Sequence, residues 1–540
     1  MGSGAGEMRW WGWGEDAHAG GLPDGAEAWL TVRLGTALGA ACGPPVLASV
    51  RLPDAQLTGR DRTVLTKIAG SAAVREDPGS RVRHAAGRSY PDLLRLRAAS
   101  AIPAPDAVVG VTSHEQVLAV LRACAAQGIA VVPFGGGTSV VGGVEPLRGA
   151  HHAVIALDLR PLAGLERIDA RSRLAWVLPG LLGPELERAL AGHGHTLGHF
   201  PQSFEYSTVG GWVATRSAGQ ASTGYGRIDD LVAGVRLAAP EGEIDLPALP
   251  ASAAGPDLRE LVVGSEGVLG VITQAVLRIR PAPAERRYEA WMLPSFADGA
   301  DALRALIQRD LRPEIARVSD EAETEMSLAL AGLRGARGAA VGGYLAARGV
   351  RGGAFVILGF EGEADDVRER RRKVTALMRR HGAASLGAGP GRAWEAGRFH
   401  APYLRDELLG RGVMVDTLET AVRWNDVLTL HAAVGRALAA HAPFVACHIS
   451  HIYPDGASLY FTYVAPQDTS DPLGQWQTAK HAASTAIVEH GATITHHHAI
   501  GTDHAPYLEA QDGALGLAAL RAVKERLDPA GIMNPGKLFT

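Results

Sequence analysis

The sequence predicts an α+β fold divided into more than one domain, and three observations predict it. The chain has 540 residues, more than one simple core accommodates. A strand–helix–strand pattern over 105–134 delivers a run of glycines. After about Pro283 the pattern changes to longer helical stretches between strands. Apolar residues make 46% of the chain and charged ones 20%, as expected of a globular protein. A net charge of −4 gives no cationic excess for nucleic acid or for general attraction to anionic lipid. An anionic substrate therefore needs a local cationic cluster. Three widely spaced cysteines fit a reducing compartment and suggest neither a disulfide framework nor a cysteine metal site. No signal peptide opens the chain, and no run of about 18 apolar residues marks a membrane span.

The divisions expected are an N-terminal helical segment (1–100), a nucleotide-binding domain (101–283), a cap or substrate domain (284–500) and a C-terminal segment returning to the nucleotide domain (501–540). Near the start, Arg9–Gly14 reads RWWGWG, and exposed tryptophan clusters are rare, so these rings are expected to pack on the body or meet an apolar ligand. Ser89 or Asp92 can begin a helix. Pro105–Val111 reads as a strand. Ser113 then caps a helix, with Gln116 as its capping-box partner, and Val117, Leu118, Val120 and Leu121 give that helix an apolar face. Gly128 ends it and Val131 begins the next strand. Pro133, Phe134, Gly135, Gly136, Gly137, Thr138 and Ser139 follow. Consecutive backbone N–H groups in such a loop form an anion site, and glycine lets the backbone approach a ligand closely. The natural guest is a phosphate or pyrophosphate, the alternative a tight turn between strands. No lysine of the NTPase loop follows. Gly198–Val232 and Gly264–Pro281 are two further loops rich in glycine. Three such loops imply a large ligand held mostly by backbone, of which a dinucleotide is the obvious candidate.

Beyond Pro283, Ala302–Gln308 looks helical, Arg334–Gly353 looks like a glycine-rich mobile loop, Phe355–Phe360 like a strand and Ala364–Arg380 like a surface helix. Two strands lie around Tyr460, a helix runs from about Gln475 to His490, and HHHAIG precedes a final helix.

PFGGGTSVVGG, STVGGW, GSEGVLGVIT and LDPAGIMNPGK together resemble the PCMH-type FAD-binding domain of the vanillyl-alcohol oxidase superfamily, over about 103–283 and the C-terminal tail. The resemblance implies two α/β subdomains holding FAD, plus an α+β cap whose sheet is flanked by helices. It places at the cofactor the first loop (Pro133–Ser139); His199, Gln202, Ser203, Glu205, Ser207 and Thr208; Thr215, Arg216, Ser217 and Ala218; and Glu266, Gly267, Val268, Leu269, Gly270, Val271 and Ile272. RWWGWG, LRPEIARVSD, APYLRDELLGRGVMVDTLETA, SLYFTY and HHHAIG narrow the match to the alkyldihydroxyacetonephosphate synthase family. That family exchanges the fatty acid of acyl-dihydroxyacetonephosphate for a long-chain alcohol, with FAD and without net redox change. The resemblance implies that a base removes a proton next to the ketone, the flavin bonds the substrate carbon, the carboxylate leaves and the alcohol enters. Noncovalent FAD, a homodimer, and a bacterial cytoplasmic protein touching the inner face of the membrane to collect lipid are expected with it.

Such chemistry needs a proton acceptor, cations for carboxylate and phosphate, and an apolar tunnel. Tyr460 matches the family's catalytic tyrosine. A phenol has a pKa near 10, so it acts as a base only if cations or hydrogen bonds lower it, and His496, His497 and His498 could supply those. On a strand, at most His496 and His498 point one way. The related 2-hydroxyacid dehydrogenases bind a metal through HxGDGNLH and a later Glu-His pair. Here Tyr460 stands at the second histidine and His497 at the glutamate, so no metal is expected. Arg317 matches the family's essential arginine and Arg405 its substrate-binding one; arginine forks onto carboxylate or phosphate. Gln202 and Tyr206 depart from the family's Asp and Phe. The alternatives are an FAD-linked oxidoreductase of the 2-hydroxyacid dehydrogenase or alcohol oxidase type, and a noncatalytic FAD scaffold.

Overall fold

The computed structural model describes residues 7–539 apart from 19, 24, 44, 100, 101, 333, 334 and 351. The boundary placed at 100 and 101, and Arg334 and Arg351 of the glycine-rich stretch, thus lie outside the described residues.

The nucleotide-binding half holds two main sheets and a two-stranded one, Arg280–Pro281 with His195–Thr196. The first is four-stranded, in the order Val74–Arg75, Ala107–Gly110, Ala153–Asp158, Ile129–Phe134. Its last three strands are parallel, and helix His114–Gln127 is the crossover that parallel pairing requires. Ser113 Oγ accepts from Gln116 N at 3.2 Å, while Gln116 Oε1 reaches back to Thr112 N at 2.8 Å. Gly128, in the left-handed region, ends the helix. Val117, Val120, Leu121 and Cys124 seal it onto Val109, Val131 and Ile155. The second sheet is five-stranded and antiparallel, in the order Leu165–Asp169, Leu174–Val177, Val271–Arg278, Val232–Ala239, Gly242–Leu246.

The cap is a seven-stranded antiparallel sheet, in the order Ala384–Gly387, Glu285–Leu293, Ala354–Gly362, Ile315–Ser319, Phe444–Ile449, Gly456–Pro466, Val413–Arg423. Helices Phe296–Ile307, Ala364–Arg380, Val427–Ala439 and Pro472–Glu489 contribute Leu303, Val374, Leu377, Leu430, Val434 and Ile487 to its core. Along Gly456–Pro466 the pleat alternates: Leu459, Phe461 and Tyr463 enter that core, and Tyr460 and Thr462 face the other way.

Three features depart from the sequence reading. Val74–Arg75, from the N-terminal segment, pairs with Val109 and Val108, so that segment is not purely helical and is stitched into the first sheet. The stretch read as a mobile loop contains the helix Gly335–Ala347. Its alanines carry good helix propensity, and Leu345 and Val341 pack against Met292 and Ala384, which outweighs the glycines. His496–His498 lie in a turn, not a strand. Elsewhere Ser89 forms a capping box with Asp92 and starts helix Tyr90–Ala98, and Trp10 and Trp13 are buried on the body. The C-terminal tail returns to the first sheet: Val131 N donates to Ile532 O at 2.8 Å and Asn534 N to Val131 O at 2.9 Å.

Candidate active site

The three glycine-rich loops meet by direct backbone packing. A Cβ on Gly136 would run into Tyr206 O, and one on Gly135 into Thr208 Oγ1, so the first loop lies on the second. Gly267 has a φ of +76°, and a Cβ there would sit 2.9 Å from Pro133 Cγ, which closes the third loop on the first. Thr208 caps the short helix Val209–Ala214. Trp212 Nε1 donates to Ser207 Oγ at 2.7 Å. His199 Nε2 is 2.8 Å from Ser217 Oγ, and complete burial pushes the imidazole down to about 3. His199 Nδ1, Thr223 Oγ1 and Ser265 Oγ are buried with no protein partner. A tight backbone cradle with such orphaned groups beside it fits a dinucleotide.

Several residues expected at the cofactor have their side chains committed elsewhere. Glu266 accepts from Ile500 N and Gly501 N, both at 2.7 Å, and burial pushes its carboxyl up to about 7. Arg216 donates to Val263 O at 2.9 Å and to Glu260 Oε2 at 2.6 Å. Gln202 is exposed and donates to Arg398 O at 2.9 Å. Leu269 and Ile272 enter the core of the second sheet, and Val271 that of the first. For these, only the backbone remains for a ligand. Arg216, Glu266 and Ala499 hold positive φ, so strain collects where the loops meet the segment after the histidines.

The candidate catalytic centre lies on the polar face of the cap sheet. Register sets Tyr460 opposite Glu419 on one side and His448 on the other. The Tyr460 hydroxyl donates to Thr417 Oγ1 at 3.0 Å. Its ring is stacked between His448 (centroids 4.8 Å apart) and His497 (6.1 Å), with His498 edge-on at 5.6 Å. Behind His448, Nδ1 lies 3.1 Å from Arg317 Nη2 and 2.9 Å from Glu323 Oε1, and Arg317 Nη2 donates to Glu323 at 2.8 Å. Burial opposes ionisation of Glu323, but Arg317 and His448 overcome it and hold the carboxyl down to about 2.

All three histidines gather here because the turn brings successive amides to one acceptor. Buried Glu419 receives His496 N (2.5 Å), His497 N (3.1 Å), His498 N (2.8 Å) and Thr495 Oγ1 (2.6 Å). Alternation along a strand therefore does not apply. Nor do these rings supply positive charge to the phenol. Burial lowers His496, His497 and His498 and pushes Tyr460 up to about 12, the reverse of the shift a phenolic base needs. His451, His496 and His497 have nitrogens within 4.8 Å of one another, a ligand set the sequence reading did not contain. Their atoms are engaged within the protein: His451 Nδ1 with Ser222 Oγ at 2.6 Å, His496 Nε2 with Tyr453 OH at 2.6 Å, and His496 Nδ1 with His497 Nδ1 at 2.9 Å. A cavity of about 1100 Å³ joins Arg216 and Glu266 to His496 and His497, and continues past Leu508 and Leu520.

Arg405, on helix Ala401–Gly410, donates to Arg88 O at 2.8 Å. Sequence reasoning missed His448, His451, Glu323 and Glu419. The signal for His448 is its place in strand Phe444–Ile449, paired with Tyr460's, where a polar residue in a core strand marks the face turned away from the core, and His451 follows just beyond that strand's end.

Two family models match, the FAD binding domain over residues 105–245 and the C-terminal domain of FAD linked oxidases over 282–538. The alkyldihydroxyacetonephosphate synthase of Trypanosoma brucei brucei is 33% identical over 491 residues, 88% of this chain and 80% of that protein. The one from Dictyostelium discoideum is 32% identical over 479 residues, 86% of this chain and 78% of that protein. A solved alkyldihydroxyacetonephosphate synthase superposes with a TM-score of 0.84 at 28% identity, covering 98% of this chain and 99% of the other.

Proposed function

This chain belongs to the alkyldihydroxyacetonephosphate synthase family of FAD-binding proteins, and from that premise we propose that it makes the ether bond of ether lipids. The reaction exchanges the acyl chain of acyl-dihydroxyacetonephosphate for a long-chain alcohol, without net redox. The observation that carries this reading is the placement of Tyr460 between His448 and His497, with the Arg317–Glu323 pair behind.

The backbone of the three loops, with His199, Thr223 and Ser265 beside it, would hold FAD. When bound, the flavin supplies an electron-accepting ring beside the ketone. The chain's residues do the rest. Tyr460 takes the proton next to the ketone, and its hydroxyl is oriented by Thr417. Neutral His497 and His498 flank the ring and can pass that proton on. Arg317, fixed in position by Glu323, is the cation for the departing carboxylate, and Arg405 binds substrate phosphate. The apolar stretch of the cavity past Leu508 and Leu520 offers room for a hydrocarbon chain.

Among the described residues no helix is long and apolar enough to cross a membrane. A cytoplasmic protein meeting the inner face of the membrane peripherally, and working as a homodimer, suits substrates of this kind; vesicle flotation and light scattering test those two points. The activity itself is tested by giving purified, FAD-loaded protein labelled long-chain alcohol and acyl-dihydroxyacetonephosphate. Labelled ether product with release of fatty acid is expected. Lasting flavin bleaching by a 2-hydroxy acid, with no ether product, would assign the chain to the oxidoreductases instead.

A further inference from the structure

The RWWGWG turn encloses a group of cations of which the reaction as described uses only Arg405. Arg9 N donates to Gly14 O at 2.8 Å and closes the turn. Its guanidinium lies 4.5 Å over the Trp11 ring, and that of Arg97 5.2 Å from the same ring. Arg88 is buried, with Nε on Gly12 O and Nη2 on Arg9 O, both at 2.9 Å, and Nη1 on Gly87 O at 2.7 Å. Arg405 reaches the same place from the cap through Arg88 O. So Arg9, Arg88, Arg97 and Arg405 converge from three separate segments.

The anions facing them are few. Asp406 is buried; its Oδ2 accepts from Trp13 N at 2.5 Å and from Arg9 at 3.4 Å, and lies 3.7 Å from Arg97. Asp92 is spent in the capping box with Ser89. Asp16, 3.6 Å from Arg9, sits exposed at the rim, and Glu407 pairs with Arg411. Nε and Nη2 of Arg97 and Nε of Arg405 are buried without a hydrogen-bond partner, while Arg405 Nη2 and Asp406 Oδ1 make no hydrogen bond but lie 3.5 Å apart as an ion pair. Buried guanidinium donors left open are costly unless an anion completes them. Arg88 N also donates to Ser139 O at 2.6 Å, which ties the cluster to the first glycine loop.

We propose that Arg9, Arg88, Arg97 and Arg405 form a seat for a phosphate monoester dianion, with the RWWGWG turn as its wall and Asp406 as the internal counter-charge that competes with the ester for the forks. The inference rests on the proposed reading in taking that ester to be the ketone substrate's own phosphate, and it extends that phosphate's contacts well beyond Arg405. Planar, bidentate donors suit phosphate oxygens, and a dianion would bring the cluster close to neutrality.

The test is calorimetric binding to the FAD-loaded protein, with dihydroxyacetone phosphate, inorganic phosphate and unphosphorylated dihydroxyacetone as three separate probes. The phosphate ester is expected to bind tighter than inorganic phosphate, and dihydroxyacetone not measurably. Arg97→Ala is expected to weaken the ester roughly 10- to 100-fold, the loss of charge-assisted hydrogen bonds, with FAD retained. Asp406→Asn removes the competing carboxylate and is expected to tighten the ester several-fold, whereas a merely structural Asp406 gives weaker binding. Unchanged ester affinity in Arg97→Ala, weaker binding in Asp406→Asn, or loss of FAD in place of loss of ester affinity overturns the proposal. Binding is read without turnover, so an absent ether-forming activity would leave this result standing on its own.

Discussion

Tyr460 is where the chemistry is most sharply exposed to test. Replacing it by Phe removes one hydroxyl and keeps the ring between His448 and His497, so packing should hardly change. General-base catalysis is typically worth about 10²–10⁴-fold, and exchange in Tyr460→Phe is expected to fall by that order, with solvent isotope no longer entering the first carbon of the acyl substrate. Normal incorporation would pass the role of base to His497 or His498. The pH profile separates the same two candidates. Burial pushes the phenol up to about 12, so the basic form is scarce at neutral pH and grows tenfold per unit. kcat/KM should then rise log-linearly between about pH 7 and 9. A histidine base, already lowered by burial, is fully deprotonated there and gives a flat profile. Tyr460, Arg317 and the three histidines stand out in the sequence because each lies in a compact motif, and the structure brings them to one place. The sense of the phenol's shift was not legible there, because it depends on how many rings crowd around one hydroxyl, and that is known only once His448 arrives from another strand.

Single elements hold this arrangement, and two of them can be broken separately. The turn Thr495–His498 hangs on Glu419. Burial opposes the charge on that carboxyl, yet the three backbone amides and the Thr495 hydroxyl it accepts from keep it well below the usual range. Its contribution is therefore present above the ordinary glutamate pKa and is lost as the pH falls through the lowered folded value. Glu419→Gln leaves amides of the turn without an acceptor, at about 1–3 kcal/mol for each unsatisfied group. Amide exchange at 495–498 should quicken and activity drop while FAD stays bound; unchanged exchange rates would contradict the assigned anchor. The loop contact is the second element. In Gly136→Ala the new methyl meets Tyr206 O, and overpacking of that kind costs about 1–3 kcal/mol. A tenfold or greater rise in the FAD dissociation constant, measured by fluorescence, is expected. Glycine's permissiveness was visible in PFGGGTSVVGG, but the reason for it was only half visible: Gly135 and Gly136 make room for the second loop, a partner about seventy residues away that no local pattern announces. The helix Gly335–Ala347 was hidden for the converse reason, since tertiary packing overrode the glycines.

For the molecule as a whole, the two halves and their order were readable from composition shifts and loop spacing, whereas the pairing of Val74–Arg75 with the first sheet, a join between distant segments, was not. The cofactor is expected to be held without a covalent link, as the resemblance to the synthase family implies. Acid precipitation should give a colourless pellet and a yellow supernatant, and a pellet that stays yellow would show attachment. The tail's return to the first sheet has a consequence in time. Val131 is bracketed by Ile532 and Asn534, which emerge from the ribosome roughly 400 residues later, and the entropy of closing such a span grows only logarithmically with its length. Thermodynamics thus tolerates the arrangement, but synthesis order does not: the edge strand that carries the first glycine loop waits, unpartnered on one side, until roughly 400 further residues have been made. Flavin loading then has to wait for that return, and a nascent chain halted short of Ile532 offers the cofactor an unfinished cradle.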